Sequence, residues 1–159
     1  MLQDKISNWI KTYAKEHNRR SLVVGISGGI DSSVVSTLCA MTKMPTIAVS
    51  MPINQIESQH DLSMDHGNWL ENKFNNVTHE VIDLDGVYEK FWLKTFNEYG
   101  GEHAFANTKS RLRMVTLHQI SGAKKGIVVG TGNKVEDFGV GFYTKYGCLL
   151  YTSDLPTSR

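Results

Sequence analysis

Cysteine is nearly absent from this chain: Cys39 and Cys148 are the only two in 159 residues. One lies in an apolar helix pattern and the other near the end, so no disulfide framework or cysteine metal spacing can be drawn, and both read as inert. Charge of a single sign is also missing. The formal net charge is +1, and Arg19, Arg20, Arg111, Arg113, Lys124 and Lys125 are scattered, which argues against a nucleic-acid partner. No apolar run approaches the roughly 18 residues of a membrane span. The opening residues Met1 to Lys5 are amphipathic rather than signal-like, so a soluble, cytoplasmic protein with no membrane partner is expected. His17, His60, His66, His79, His103 and His118 form no convincing Cys-His or Ser-His-Asp arrangement and read as surface or structural residues. A chain of 159 residues with 40% apolar content and three tryptophans is enough for one buried core but not for two full domains.

Two familiar phosphate loops are missing as well. A Walker A loop ends in Gly-Lys-Ser or Gly-Lys-Thr, and a dinucleotide fingerprint needs G-x-G-x-x-G; neither occurs. What is present is SLVVGISGGIDSS over residues 21–33. Leu22 to Ile26 reads as a buried parallel strand and Asp31 to Lys43 as a helix. The loop between them is built for an anion. Gly28 and Gly29 can take positive φ and leave no Cβ in the way, so their N–H groups can converge at the positive end of the helix. Ser27, Ser32 and Ser33 add hydroxyl donors. Asp31 would repel phosphates unless a divalent cation such as Mg²⁺ lay between. The plainer alternative is a tight turn with Asp31 and Ser32 as helix caps.

Leu2, Ile6, Trp9, Ile10 and Tyr13 recur at helical spacing ahead of this strand. Beyond it, strands are expected at Pro45 to Met51, Val77 to Leu84 and Gly126 to Gly130. Helices are expected at Ile56 to Phe74, Val87 to Phe96 and Ala106 to Ile120. Such alternation predicts an α/β fold, a doubly wound parallel sheet with helices on both faces. Ligands then lie beyond the carboxyl ends of the strands, which gathers the loops after strands one, two and four. These carry Asp31, then Met51 and Pro52, which can cover an adenine, then Thr131 with Glu136 beyond it. Glu136 could face Asp31 across Mg²⁺ while Thr131 bonds a nucleotide; equally, Thr131 and Asn133 cap a helix and Glu136 is solvated.

The Ser-Gly-Gly-x-Asp-Ser loop resembles that of the ATP pyrophosphatases, which adenylate a substrate and release pyrophosphate. Asn107 to Met114 (NTKSRLRM), Val128 to Lys134 (VVGTGNK), Glu136 and Gly141 to Gly147 (GFYTKYG) narrow the likeness: in order and spacing they resemble the NAD synthetase family. The resemblance implies amidation of deamido-NAD by ammonia, with ATP as co-substrate, through an adenylated dinucleotide. Gly25, Ile26, Ser27, Gly28, Gly29, Ile30, Asp31 and Ser32 would hold ATP phosphates, with Met51 and Thr131 also at ATP. Asp31 and Glu136 would bind Mg²⁺, and Arg111 and Lys145 would bind deamido-NAD. No protein nucleophile is required, since catalysis is positioning and charge stabilisation.

Arg111 and Arg113 lie about 200° apart on a helix and cannot both face one ligand, so Arg113 is expected in a structural ion pair. Leu112, Met114, Val115 and Leu117 spread around that helix, which fits either the family's homodimer interface or an intrachain core. With Met1 some twenty residues before the first strand, no glutaminase domain is expected ahead of it, and free ammonia is the expected nitrogen source. The family pattern covers residues 1–147 and is expected to be incomplete at its C-terminus. Residues 148–159 resemble translated library-adapter sequence, a tail expected of a truncated reading frame that lacks part of the binding surface. Another ATP pyrophosphatase, such as a GMP synthetase domain, and a non-catalytic adenine-nucleotide binder are the alternatives.

Overall fold

Short β-branched runs become strands and longer periodic stretches become helices in the computed structural model, which describes residues 1–54, 57–135, 139 and 144. The order is α1 (Leu2–Glu16), β1 (Ser21–Ile26), α2 (Ile30–Met41), β2 (Thr46–Ser50), α3 (Glu57–Lys73), β3 (Val77–Val81), α4 (Asp85–Tyr99), α5 (Glu102–Ala123) and β4 (Gly126–Val128). Every expected strand and helix is present, with shifted ends. Helix α2 stops at Met41, and Lys43 turns the chain at φ +61°. Strand β3 stops at Val81 rather than running on to Leu84, because the side chain of Asp83 accepts a hydrogen bond from the Asp85 amide at 2.8 Å and opens α4.

All strand pairs are parallel, in the order β3-β2-β1-β4. Leu22 lies beside Thr46, Ile26 beside Ser50, and Val23 beside Val128. The sheet therefore grows outward from β1 to β3, then crosses back through α4 and α5 to place β4 on the far side of β1. That reversal makes the carboxyl ends of β1 and β4 the switch point, where such sheets hold ligands.

Alternation along β1 divides the core between two faces. Leu22 packs with Ile10, Ala14 and Cys39 from α1 and α2, and Val24 and Ile26 pack with Ala40 and Leu70 from α2 and α3. Val23 points the other way, into a cluster of Val49, Met51 and Tyr88 covered by Leu112, Leu117 and Ile120 of α5. Helices cover both faces, as the doubly wound reading requires. Cys39 is fully buried, and burial pushes its thiol up to about 12, so no thiolate forms near neutrality and the residue is inert. Leu22 is among the largest fully buried side chains. Leu22→Ala is expected to cost about 2–5 kcal/mol, read as a lower urea midpoint at unchanged slope.

Candidate functional site

The loop leaving β1 is closed on itself by serine hydroxyls. Ser32 Oγ accepts the Ser27 amide at 3.2 Å, lies 3.0 Å from Ser27 Oγ, and donates to the Gly29 carbonyl at 2.9 Å. Ser27 Oγ accepts the Gly29 amide at 3.2 Å, and Ser33 Oγ donates to the same Gly29 carbonyl at 2.9 Å. The expected donors thus serve first to shape the loop. The amides of Ser27 and Gly29 rest on hydroxyls in the free protein, and a phosphate would exchange with them. Gly29 is the N-cap of α2, so neither Asp31 nor Ser32 caps the helix.

Gly28 has φ +87°, and a Cβ there would sit 2.6 Å from the Gln59 carbonyl oxygen, so the first turns of α3 close directly onto the loop. Ile30 is exposed beside the loop, whereas Ile26 is buried in the core. Gly25 lies inside β1, where its missing side chain lets Met51 Cε and Leu117 Cδ1 approach to 3.3 and 3.4 Å of a Cβ position. Met51 is itself buried in the core. Gly25 and Met51, both assigned to the nucleotide in the sequence reading, thus lie against each other at the ends of neighbouring strands.

Asp31 stands in the first turn of α2, where the helix dipole favours a carboxylate. Its Oδ2 accepts a hydrogen bond from Asn133 Nδ2 at 3.1 Å, across 102 positions of sequence. The other end of the Asn133 amide accepts the Val135 N–H at 3.0 Å. Asn133 therefore caps the turn after β4, as the plainer sequence reading had it; it also joins the loops after β1 and β4, which the sequence reading gathers, through a bond to Asp31 that the sequence did not signal. Thr131 lies on the same loop, half-buried.

On α5, Arg111 is exposed while Arg113 turns inward, as the helical angle between them requires. Arg113 Nε donates to the Met51 carbonyl at 3.0 Å, and among the described residues it has no carboxylate partner, so the expected ion pair is replaced by a bond to a backbone dipole. Burial lowers the Arg113 pKa. Thr144, in the Gly141 to Gly147 motif, donates to Asn107 Oδ1 at 2.7 Å. Asn107 is one turn before Arg111, so two segments read separately in the sequence meet on α5. Glu136 and Lys145 lie outside the described residues, as does the 148–159 tail. No cluster of three metal-ligating side chains exists among the described residues, and no described helix is long and apolar enough to cross a membrane.

A parallel sheet with reversed strand order and a serine-glycine loop at the reversal define a fold of the PP-loop, Rossmann-like type. The NAD synthase family profile matches residues 2–152, and the chain belongs to that family. The match runs past Gly147, where the sequence reading ends the family pattern. The NH3-dependent NAD(+) synthetase of Carboxydothermus hydrogenoformans is 34% identical over 149 residues, 91% of this chain and 58% of that protein. The enzyme of the same name from Methanococcus aeolicus is 32% identical, covering 93% and 58%. Among solved structures, NMN synthetase from Francisella tularensis superimposes with a TM-score of 0.81 at 29% identity, over 91% of this chain and 58% of that one. NH3-dependent NAD synthetase from Campylobacter jejuni gives 0.79 at 28%, over 91% and 61%. The chain thus spans under two thirds of the length of these relatives.

Behind the loop, His66 Nε2 lies 2.8 Å from Ser36 Oγ and its ring stacks on Trp69. Burial, helped by the charge of His79, lowers the His66 pKa below the ordinary 6.5; burial also lowers that of His79, against an opposing pull from Glu71. The unfolded chain binds these protons more readily, so stability is full above pH 6.5 and falls as pH drops through the lowered folded values. Urea midpoints are expected to decline from pH 7 to pH 5, with a shallower decline in the His66→Gln/His79→Gln double variant.

Proposed function

We infer that the protein, at the length of its relatives, is an ammonia-dependent NAD synthetase. The observation that carries this reading is the Asp31–Asn133 bond, which sets the acid of the serine-glycine loop against the loop after β4 at the sheet's switch point. A carboxylate at that place needs a cation before anionic phosphates can approach. Asp31 suits Mg²⁺, because that ion takes one or two carboxylates and completes its shell with phosphates and water. Glu136 would be the second carboxylate. When bound, the ion would offset charge building on the ATP phosphates.

The residues' part is to hold two anionic substrates together. The 25–32 segment, Met51 and Thr131 take ATP, and Arg111 and Lys145 take deamido-NAD. A nicotinate carboxylate oxygen attacks the α-phosphorus of ATP, the bond to the β-phosphate oxygen breaks, and pyrophosphate leaves. Ammonia then attacks the acyl carbon, AMP departs with the bonding electrons, and a proton is lost to give the amide of NAD. No covalent bond to the protein forms.

Cytoplasmic location and a homodimer belong to the same reading. Exposed Phe91, Leu93 and Phe96 of α4 and Val115 of α5 offer apolar surface to a second copy. Residues 1–147 are read as the ATP pyrophosphatase domain and 148–159 as a foreign tail, which a genomic frame ending at Arg159 would overturn.

Pyrophosphate release from MgATP is expected to depend on deamido-NAD and to fall about a hundredfold or more in Asp31→Ala. The assay uses the 159-residue chain beside one extended to the relatives' length, with nicotinate mononucleotide as the control separating NAD synthesis from the NMN synthesis of the Francisella relative. Release by neither length, with both folded, overturns the reading. Sedimentation at micromolar concentration reads the dimer, a monomer at every concentration removing it.

A further inference from the structure

Outside the loop, buried polar side chains gather between α3 and the carboxyl ends of β1, β2 and β3. Ser63 Oγ, on α3, lies 3.1 Å from the carbonyl oxygen of Ile26, the last residue of β1. Ser50 Oγ, on β2, is 2.7 Å from Ser63 Oγ and 2.9 Å from His79 Nε2 on β3. Both serines are buried. The ring of His79 occupies the space a Cβ on Gly67 would fill, so a glycine in α3 admits it.

Counting hydrogens fixes the direction of every bond in this chain. A carbonyl only accepts, so Ser63 donates to Ile26. A hydroxyl has one hydrogen, so Ser63 oxygen must accept from Ser50, and Ser50 oxygen in turn from His79 Nε2–H. Three bonds therefore run one way, from an imidazole to the carbonyl at the mouth of the loop, each polarising the next. Protonation of His79 adds its proton at Nδ1 and leaves the Nε2–H donor in place, so the relay survives acid.

The Ile26 carbonyl shares its peptide plane with the Ser27 N–H, which donates to Ser32 Oγ at 3.2 Å. One peptide unit is thus gripped by α3 at its oxygen and by α2 at its nitrogen. Its tilt sets where the following amides point.

We propose that His79 is a positioning residue for the phosphate loop, orienting the Ile26–Ser27 peptide through Ser50 and Ser63 and thereby aiming the loop amides at the nucleotide phosphates. The proposal rests on the reading of the loop as the ATP site. His79→Met keeps the side chain's length without a donor, and His79→Gln puts an amide N–H in place of Nε2–H. MgATP affinity by calorimetry and hydrogen exchange at Ser27, Gly28 and Gly29 are measured on protein shown to be folded by its melting curve. His79→Met is expected to weaken MgATP about threefold to tenfold and to speed loop exchange. His79→Gln restores both, and His79→Met has no further effect in a Ser63→Ala background. Wild-type affinity and exchange in folded His79→Met, or additive effects with Ser63→Ala, overturn the proposal. Should the wild-type protein bind no MgATP either at 159 residues or at the relatives' length, the ATP reading fails and exchange alone decides. Loop amides protected in wild type and His79→Gln but not in His79→Met sustain the positioning role, and equal protection removes it.

Discussion

The site depends on the peptide that joins Ile26 to Ser27. Its carbonyl is held by Ser63 from α3 and its N–H by Ser32 from α2, so the step from strand to loop has little freedom of tilt. Beyond that peptide, Ser27, Ser32 and Ser33 make hydrogen bonds within the loop and to its Gly29 carbonyl, and Gly28 takes a φ that brings α3 against it. A loop built in this way arrives at its ligand largely formed, so less ordering entropy opposes binding.

The parallel sheet supplies the second constraint. Crossing from β3 back to β4 beside β1 brings Asn133 within hydrogen-bond distance of Asp31. The amide settles the carboxylate's orientation while its own oxygen caps the next turn, so two loops distant in sequence are fixed by one side chain. Helix α5 does comparable work on the opposite face: Leu117 reaches the strand over Gly25, Arg113 holds the Met51 carbonyl, and Asn107 receives Thr144.

Much of this was legible in the sequence because period and spacing are local properties. The four strands and five helices of the described residues, the serine-glycine loop and the opposed faces of Arg111 and Arg113 all follow from residue types a few positions apart. Reading went astray where a side chain answers to the tertiary environment. Arg113 looked like half of an ion pair and bonds a backbone carbonyl. His79 carried no signal, since nothing within a few residues of it hints at a serine on another strand.

The sequence by itself determined the alternation of strand and helix, the family, and the chemistry available at the loop, because backbone propensity and motif spacing are written along the chain. Only the tertiary structure decided which hydroxyl faces which carbonyl, which amide meets Asp31, and that His79 reaches the loop at all. Those contacts join residues 5 to 102 positions apart, and they depend on the packing of helices on a sheet whose strand order the residue pattern does not state.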